Sequence, residues 1–230
     1  MSSRVRSLLP PRVATVSEVW RAGHPWATIY DYVVEHEQLG RALWQTFMGS
    51  DLRLLYRAAD RIAALPDGAA VLDVPCGGGV ALRGLRREQR IRYVAADIAP
   101  YMLERTSQRV RRLGLEQVEM VQADIESLPF EDGAFDLTVS FTGLHCVPHP
   151  ALAVREIARC LRPGGELTGS AFLNDTGARF EPMRAIGRAS GLLGPSGSVR
   201  DLRSWLVGAG LVGAVLQRSG GLVYFTAVRA

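Results

Sequence analysis

The sequence contains no lysine, because all 27 basic residues in the chain of 230 are arginine. Chemistry that requires a lysine amine is therefore excluded, including a Schiff base to a carbonyl substrate or to pyridoxal phosphate. The phosphate-binding loop GxxxxGK[ST] is excluded for the same reason, since its lysine contacts the nucleotide phosphates. The chain is thus neither a pyridoxal-phosphate enzyme nor a P-loop nucleotidase.

Cysteine is scarce, with three residues and no CxxC pair. This excludes a disulfide framework and argues against a zinc knuckle. His145 and His149 flank Cys146, but Pro148 disfavours their pairing across one turn of a helix. No HExxH motif or third ligand group accompanies them, so we predict no metal site.

Long hydrophobic runs are also absent, and no stretch reaches the roughly 18 apolar residues of a membrane-spanning helix. Pro10, Pro11 and Arg12 interrupt the only N-terminal stretch that could resemble a signal peptide. We therefore expect a cytoplasmic protein without a membrane span. The hydrophobic content of 47% is enough for a sizeable core, and the length suits one α/β domain with a helical addition.

The arginines concentrate in two stretches, 83–92 and 105–112, and the net charge is +4. A nucleic-acid-binding face would carry such charge, but so would two solvated helix faces. No aromatic side chains are interleaved to stack on bases. We therefore favour solvated faces and expect no nucleic-acid partner.

From residue 70 onward, short apolar runs alternate with helical patterns. Strands are predicted at 70–74, 91–97, 117–124, 135–141 and 166–172, with helices at about 79–89, 100–113, 150–161 and 199–209. Two final apolar runs flank Ser219, Gly220 and Gly221, and so short a turn requires an antiparallel hairpin. The pattern predicts an α/β fold with a doubly wound, mostly parallel seven-stranded sheet, one antiparallel edge strand, and helices on both faces.

The residues before the first strand have a helical pattern between about 26 and 64. We expect residues 1–66 to form a helical cap or lid and residues 67–230 to form the ligand-binding domain. The tryptophans of the cap are expected mainly in the core, with some lining an apolar substrate pocket. The glycine-rich segment 173–198 is expected to be an insertion beside the substrate. When no ligand is bound, this segment and residues 1–30 should both be less ordered than the sheet.

The turn after the first strand lies where a doubly wound sheet binds its ligand. Residues 71–79 read VLDVPCGGG, and Gly77 and Gly79 let the backbone turn tightly and approach a ligand. The dinucleotide pattern GxGxxG fails, because its third glycine position falls on Leu82. This disfavours a nicotinamide-dependent oxidoreductase, which stays an alternative.

The segment resembles motif I of the class I S-adenosylmethionine-dependent methyltransferases, (D/E)-x-G-x-G-x-G, with Pro75 in place of the first glycine. The resemblance covers residues 68–172 and continues in chain order. Its further pieces are DIAPYML at 97–103, ADIESLPF at 123–130, the fourth-strand segment at 135–147 and RPGGEL at 162–167. It implies a Rossmann-like fold, S-adenosylmethionine as cofactor and S-adenosylhomocysteine as product.

The resemblance also implies roles for the matched positions. Asp97, which ends the second strand, would accept hydrogen bonds from the ribose hydroxyls. The Asp124 carboxylate would accept one from the adenine amino group, and the Ile125 amide would donate to a ring nitrogen. The implied cofactor-binding residues are Tyr30, Asp73, Pro75, Cys76, Gly77, Gly79, Asp97, Ile98, Met102, Asp124, Ile125 and Phe141.

His145, which follows the fourth strand, is the candidate catalytic residue. Methyl transfer is an in-line displacement that needs a base only if the nucleophile begins protonated. His145 could be that base, contact the methionine end of the cofactor, or pack under the lid.

Glu156 and Arg159 are expected to be only a surface pair. Three arginines of the insertion could receive an acidic substrate or face solvent: Arg179, Arg184 and Arg188.

The absence of certain motifs narrows the range of possible methyl acceptors. The (D/N)-P-P-(Y/F) motif of amino-directed nucleic-acid methylases is replaced by SFTG at 140–143, and Cys146 lacks the preceding proline of cytosine-C5 enzymes. The sequence therefore predicts methyl transfer to an oxygen, carbon or nitrogen atom of a small apolar or aromatic metabolite. A non-catalytic S-adenosylmethionine-binding regulator is the second alternative.

Overall fold

The computed structural model describes residues 15–23, 33 and 37–230. The strands are β1 Ala70–Asp73, β2 Arg92–Asp97, β3 Val118–Gln122, β4 Phe135–Phe141, β5 Leu161–Phe172, β6 Leu211–Ser219 and β7 Leu222–Arg229. The α-helices are α1 Val16–Ala22, α2 Glu37–Met48, α3 Leu52–Ala59, α4 Pro100–Leu113, α5 Pro150–Cys160, α6 Glu181–Ala189 and α7 Val199–Gly208. No helix in this part of the chain has the length and apolar character needed to cross a membrane.

The strands form one sheet with the order β3-β2-β1-β4-β5-β7-β6. The strands β1 to β5 pair in parallel, and the order reverses direction between β1 and β4. Only β7 is reversed, since it is antiparallel to both β5 and β6. The predicted doubly wound sheet with a closing hairpin is confirmed, and the reversed strand lies between β5 and the edge strand β6.

Alternation of side chains along the strands divides the core into two layers, one on each face of the sheet. Val71 packs in the layer that contains Leu55 of α3, whereas Leu72 packs in the layer that contains Ile157 of α5 and Leu202 of α7. All five side chains are fully buried. Each contributes roughly 1.5–3 kcal/mol of hydrophobic stabilisation, and together these layers confirm helices on both faces.

The predicted helix at about 79–89 is wrong. Only Val80–Gly84 is helical, and that turn is a 3-10 helix which follows a left-handed residue, Gly79. Gly84 lies so close to α3 that a Cβ there would be 2.0 Å from the Ala59 carbonyl oxygen. Further on, the Gln89 side chain donates to the carbonyl oxygen of Ile62 at 2.7 Å. Packing against the chain before β1 therefore overrides the helical pattern.

The predicted connection at 173–198 contains a helix, α6, and Arg184 on that helix is only 2% exposed. Its guanidinium donates to the carbonyl oxygens of Leu173 at 3.2 Å and Gly177 at 2.9 Å. It also pairs with Glu181 at 2.8 Å. Arg184 therefore ties α6 to the end of β5, and neither faces solvent nor extends toward a ligand.

Arginines of the first arginine-rich stretch, 83–92, contact the protein's own backbone and side chains. The Arg83 guanidinium lies 3.3 Å from the centroid of the Tyr56 ring. Arg92 pairs with Glu119 on the neighbouring strand at 3.2 Å. Arg87 donates to the Leu113 carbonyl oxygen at the end of α4. These side chains satisfy helix ends and strand edges of the fold.

We expect Gly84→Ala to lower the free energy of unfolding by about 1–3 kcal/mol, because the new Cβ would collide with backbone that cannot rotate away. Gly208→Ala is the matched control, since a Cβ there would meet nothing within 4 Å. That variant should leave stability unchanged or raise it by about 0.5–1 kcal/mol. Urea unfolding compares the two, and equal midpoints would contradict the close packing of Gly84.

Candidate active site

A cavity lies at the carboxyl ends of β1, β2 and β4, where the strand order reverses, as expected for this class of sheet. One side of it is formed by the turn after β1 and the ends of the neighbouring strands. Most of the predicted residues line it: Pro75, Cys76, Gly77, Asp97, Ile98, Met102, Asp124, Ile125, Phe141 and His145. Tyr30 lies outside the described residues, so its predicted contact stays a prediction.

The turn after β1 presents open backbone to the cavity at Gly77. This residue has a φ of 52°, and a Cβ there would meet nothing within 4 Å. Its carbonyl oxygen accepts from Thr106 Oγ1 at 2.7 Å, which holds the turn against α4. Gly79 instead packs closely against Leu82, since a Cβ at Gly79 would lie 2.8 Å from Leu82 Cδ1.

Asp97 holds this turn in place from the end of β2. Its carboxylate accepts from the Gly77 backbone N–H at 2.9 Å and from the Ala99 backbone N–H at 2.9 Å. The side chain lines the cavity, although the residue is only 6% exposed. Charge-assisted bonds of this kind fix the carboxylate before any ligand arrives.

Asp73 lies behind the turn and does not line the cavity. Its carboxylate accepts from the Tyr93 hydroxyl on β2 at 2.8 Å. Burial raises the pKa of Asp73 to about 7, although the bond from Tyr93 opposes this shift. The predicted direct contact with a cofactor does not fit this position, because the carboxylate is directed into the sheet by its bond to the next strand.

The sequence predicts only a surface pair for Glu156 and Arg159, but both also bind backbone groups of the loop after β3. Arg159 donates to the carbonyl oxygens of Leu128 at 2.9 Å and Phe130 at 2.7 Å, and it pairs with Glu156 at 2.8 Å. Glu156 in turn accepts from the Leu128 backbone N–H at 3.0 Å. The pair therefore anchors the loop that carries Asp124 and Ile125, a role that spacing along one helix does not reveal.

His145 is brought into the cavity, where it is 8% exposed. Its Nδ1 accepts from the Phe172 backbone N–H at 3.0 Å, and burial lowers the pKa of the imidazole to about 4. Both features disfavour the predicted role as general base. His149 is exposed and pairs with Glu126 instead, and among the described residues no cluster of three or more His, Cys, Asp or Glu could hold a metal ion.

The other side of the cavity is mainly apolar and comes from segments far apart in the chain. Helix α1 crosses it, since Trp20 Nε1 donates to the Leu192 carbonyl oxygen at 3.1 Å and Arg21 pairs with Asp124 at 3.4 Å. Further apolar residues that line this side are Trp44, Met48, Phe172, Met183, Ile186, Leu193 and Leu222. Sequence reasoning named the tryptophans and expected segment 173–198, which contains α6, beside the substrate, but it missed Leu222 of β7, which carries no local signal.

Residues 72–168 match the family described as "Methyltransferase domain". An uncharacterized chloroplastic methyltransferase of Arabidopsis thaliana is 31% identical over 172 residues, which are 70% of this chain and 48% of that protein. A demethylmenaquinone methyltransferase of Bacillus cereus is 36% identical over 110 residues, 46% of each chain. The chain thus spans about half the length of these curated relatives.

The family match and the methyltransferase relatives support membership of the class I S-adenosylmethionine-dependent methyltransferase family. The crystal structure of the [4+2]-cyclase SpnF has the same fold, with a TM-score of 0.64 over 95% of this chain and 97% of that one. At 20% identity this likeness shows the fold alone. One fold supports many activities, so the function depends on the residues of the site.

The raised pKa of Asp73 makes stability depend on pH. The carboxyl has an ordinary value of 3.8 and titrates near 7 in the fold, so the folded state binds more protons between these values. Its stabilising contribution is present below about pH 4 and is lost as the pH rises toward 7. We expect Asp73→Asn, which keeps an acceptor for Tyr93, to gain stability over wild type between pH 5 and 8.

Urea unfolding at several pH values measures this difference. Asp67→Asn is the control, because Asp67 lies in an exposed turn before β1. The control should differ from wild type by the same amount at pH 5 and pH 8. A pH-independent difference for Asp73→Asn as well would contradict the raised pKa.

Proposed function

We propose that the protein transfers a methyl group from S-adenosylmethionine to a small apolar or aromatic acceptor. The observation that carries the proposal is the open backbone at Gly77 beside the buried Asp97 carboxylate. The Gly77 N–H donates to this carboxylate and helps to fix its position. An apolar space adjoins them in the same cavity. When bound, the cofactor supplies an activated methyl group on a sulfonium, which a nucleophile in that space would take by in-line displacement.

The residues present fit this cofactor better than a dinucleotide. The buried Asp97 carboxylate suits a pair of ribose hydroxyls. Leu82, at the position where a pyrophosphate-binding turn has its third glycine, is a core residue only 1% exposed. A nicotinamide-dependent oxidoreductase is therefore not favoured.

Further residues on this side of the cavity would bind the adenine ring. Ile98 and Met102 offer apolar walls, and Asp124 and Ile125 offer an acceptor and a backbone donor on the loop anchored by Arg159. We propose that these four residues contact the adenine ring of the bound cofactor.

The lining supports an acceptor without carboxylate or phosphate groups. None of the described arginines lines the cavity. Arg184 is engaged with backbone carbonyls, Arg188 pairs with Glu181, and the Arg179 guanidinium lies 4.5 Å from the centroid of the Phe180 ring. An acidic substrate held by these arginines is therefore not supported. The name of the Bacillus cereus relative, demethylmenaquinone methyltransferase, agrees with a small-molecule acceptor.

We expect wild type to bind S-adenosylhomocysteine with a micromolar Kd, about −8 kcal/mol, and Asp97→Asn to weaken binding by about 10- to 100-fold. The asparagine removes the charge, and a hydrogen bond to a charged group contributes about 1.5–3 kcal/mol. Titration calorimetry gives both values, with Asp67→Asn as a control that should bind like wild type. Equal Kd values for wild type and Asp97→Asn would show that Asp97 is not the ribose ligand.

Methyl transfer is tested by incubating the protein with methyl-labelled cofactor and a library of metabolites. Label should appear in apolar or aromatic compounds without carboxylate or phosphate groups, and Met183→Trp should lower the yield at least tenfold by filling the acceptor side of the cavity. The matched control is Ala185→Trp, on the exposed face of the same helix. Cofactor affinity should be unchanged in both variants, and transfer only to acceptors that carry carboxylate or phosphate groups would contradict the proposal.

A further inference from the structure

The hydrogen bonds of His145 determine which ring nitrogen carries the proton. The Phe172 backbone N–H donates to Nδ1, so this nitrogen acts as an acceptor. In a neutral imidazole the proton then resides on Nε2. His145 lines the cavity, and among the described residues none accepts a hydrogen bond from Nε2. The ring therefore offers a ligand one N–H donor in a fixed orientation.

The surroundings keep this ring neutral. Burial is the cause of the lowered pKa of about 4, and no charged group shares in the shift. The Phe172 ring packs edge-on at a centroid distance of 6.0 Å, and the Gly194 N–H donates to the His145 carbonyl oxygen at 2.8 Å. To accept a proton, Nδ1 would have to give up its bond from Phe172. His145 is therefore a poor base and a good donor.

Among the described residues that line the cavity, none other than His145 is suited to act as a base for a protonated nucleophile. The remaining titratable side chains among the described residues that line it are Cys76, Cys146, Asp97 and Asp124. Burial raises the pKa of both thiols far above neutrality. The two carboxylates lie on the side assigned above to the cofactor. The described lining therefore favours an acceptor that has lost its proton before it binds.

We propose that the Nε2–H of His145 donates to an oxygen of the methyl acceptor, and that the acceptor is an acidic phenol or enol which binds as its anion. The proposal rests on the proposed function, since it assigns one side of the cavity to an acceptor. The electron pair of the anion forms the bond to the methyl carbon, and the carbon–sulfur bond breaks with its pair on sulfur. On an oxygen acceptor no proton moves within the site.

The probe for this proposal is 4-nitrophenol, whose anion is coloured and whose ordinary pKa lies near neutrality. Its absorbance is titrated between pH 5.5 and 9 on protein saturated with S-adenosylhomocysteine. We expect the pKa of the bound probe to be at least about one unit lower on wild type than on His145→Phe, which is a tenfold preference for the anion. His145→Gln, which offers an amide donor, should retain part of the difference.

A higher pKa of the bound probe on wild type than on His145→Phe would overturn the proposal, because His145 would then accept from the neutral phenol. Equal values, or no binding of 4-nitrophenol to wild type, would overturn it as well. Calorimetry with S-adenosylhomocysteine and the unfolding midpoint are measured on every variant. Failure of wild type to bind S-adenosylhomocysteine would instead contradict the proposed function.

A second measurement needs no folded variant. Long-range nitrogen–proton NMR spectra of wild type with labelled histidine report the tautomer of each ring. We expect His145 to be the Nε2–H tautomer with no titration above pH 5. An Nδ1–H tautomer, or titration near the ordinary histidine pKa of about 6.5, would overturn the assignment as a donor.

Discussion

The carboxylate of Asp97 joins the two turns that form one side of the cavity. Parallel pairing of β1 with β2 brings the ends of these strands to the same edge of the sheet. From there Asp97 reaches the Gly77 N–H in the turn after β1 and the Ala99 N–H at the start of α4. The Cys76 N–H donates to the Ala96 carbonyl oxygen at 2.8 Å beside it. The open backbone at Gly77 depends on this set of bonds.

The apolar side of the cavity depends on the hairpin of β6 and β7. The Gly221 N–H donates to the Met48 carbonyl oxygen at 2.7 Å, which holds the hairpin turn against the end of α2. Thr176 Oγ1 bonds to the carbonyl oxygens of both Leu173 and Gly221 at 2.8 Å. The final strands of the chain thus position the helices that line the acceptor side.

The surroundings of the titratable side chains in and behind the site differ in whether they favour the neutral or the charged form. Burial raises the pKa of Asp73 and lowers that of His145, so it favours the uncharged form of each. Asp97, in contrast, is held by two backbone donors at the cavity wall, where such bonds favour a carboxylate. The fold therefore directs negative charge to the side proposed for the cofactor and leaves the acceptor side to apolar contacts and one neutral donor.

Local patterns in the sequence determined the strands, the hairpin and the position of the ligand-binding turn. Phe135–Phe141 alternates apolar with polar residues, as strands do, and the sheet buries six of its seven residues. Pro100 and Gly114 begin and end α4 as their backbone preferences predict. Tertiary structure alone decided that Gly84 packs against α3, that Arg159 anchors a loop and that His145 accepts from Phe172. Periodicity reports which face of an element is apolar, whereas these contacts join residues more than twenty positions apart, and their geometry exists only once the sheet has formed.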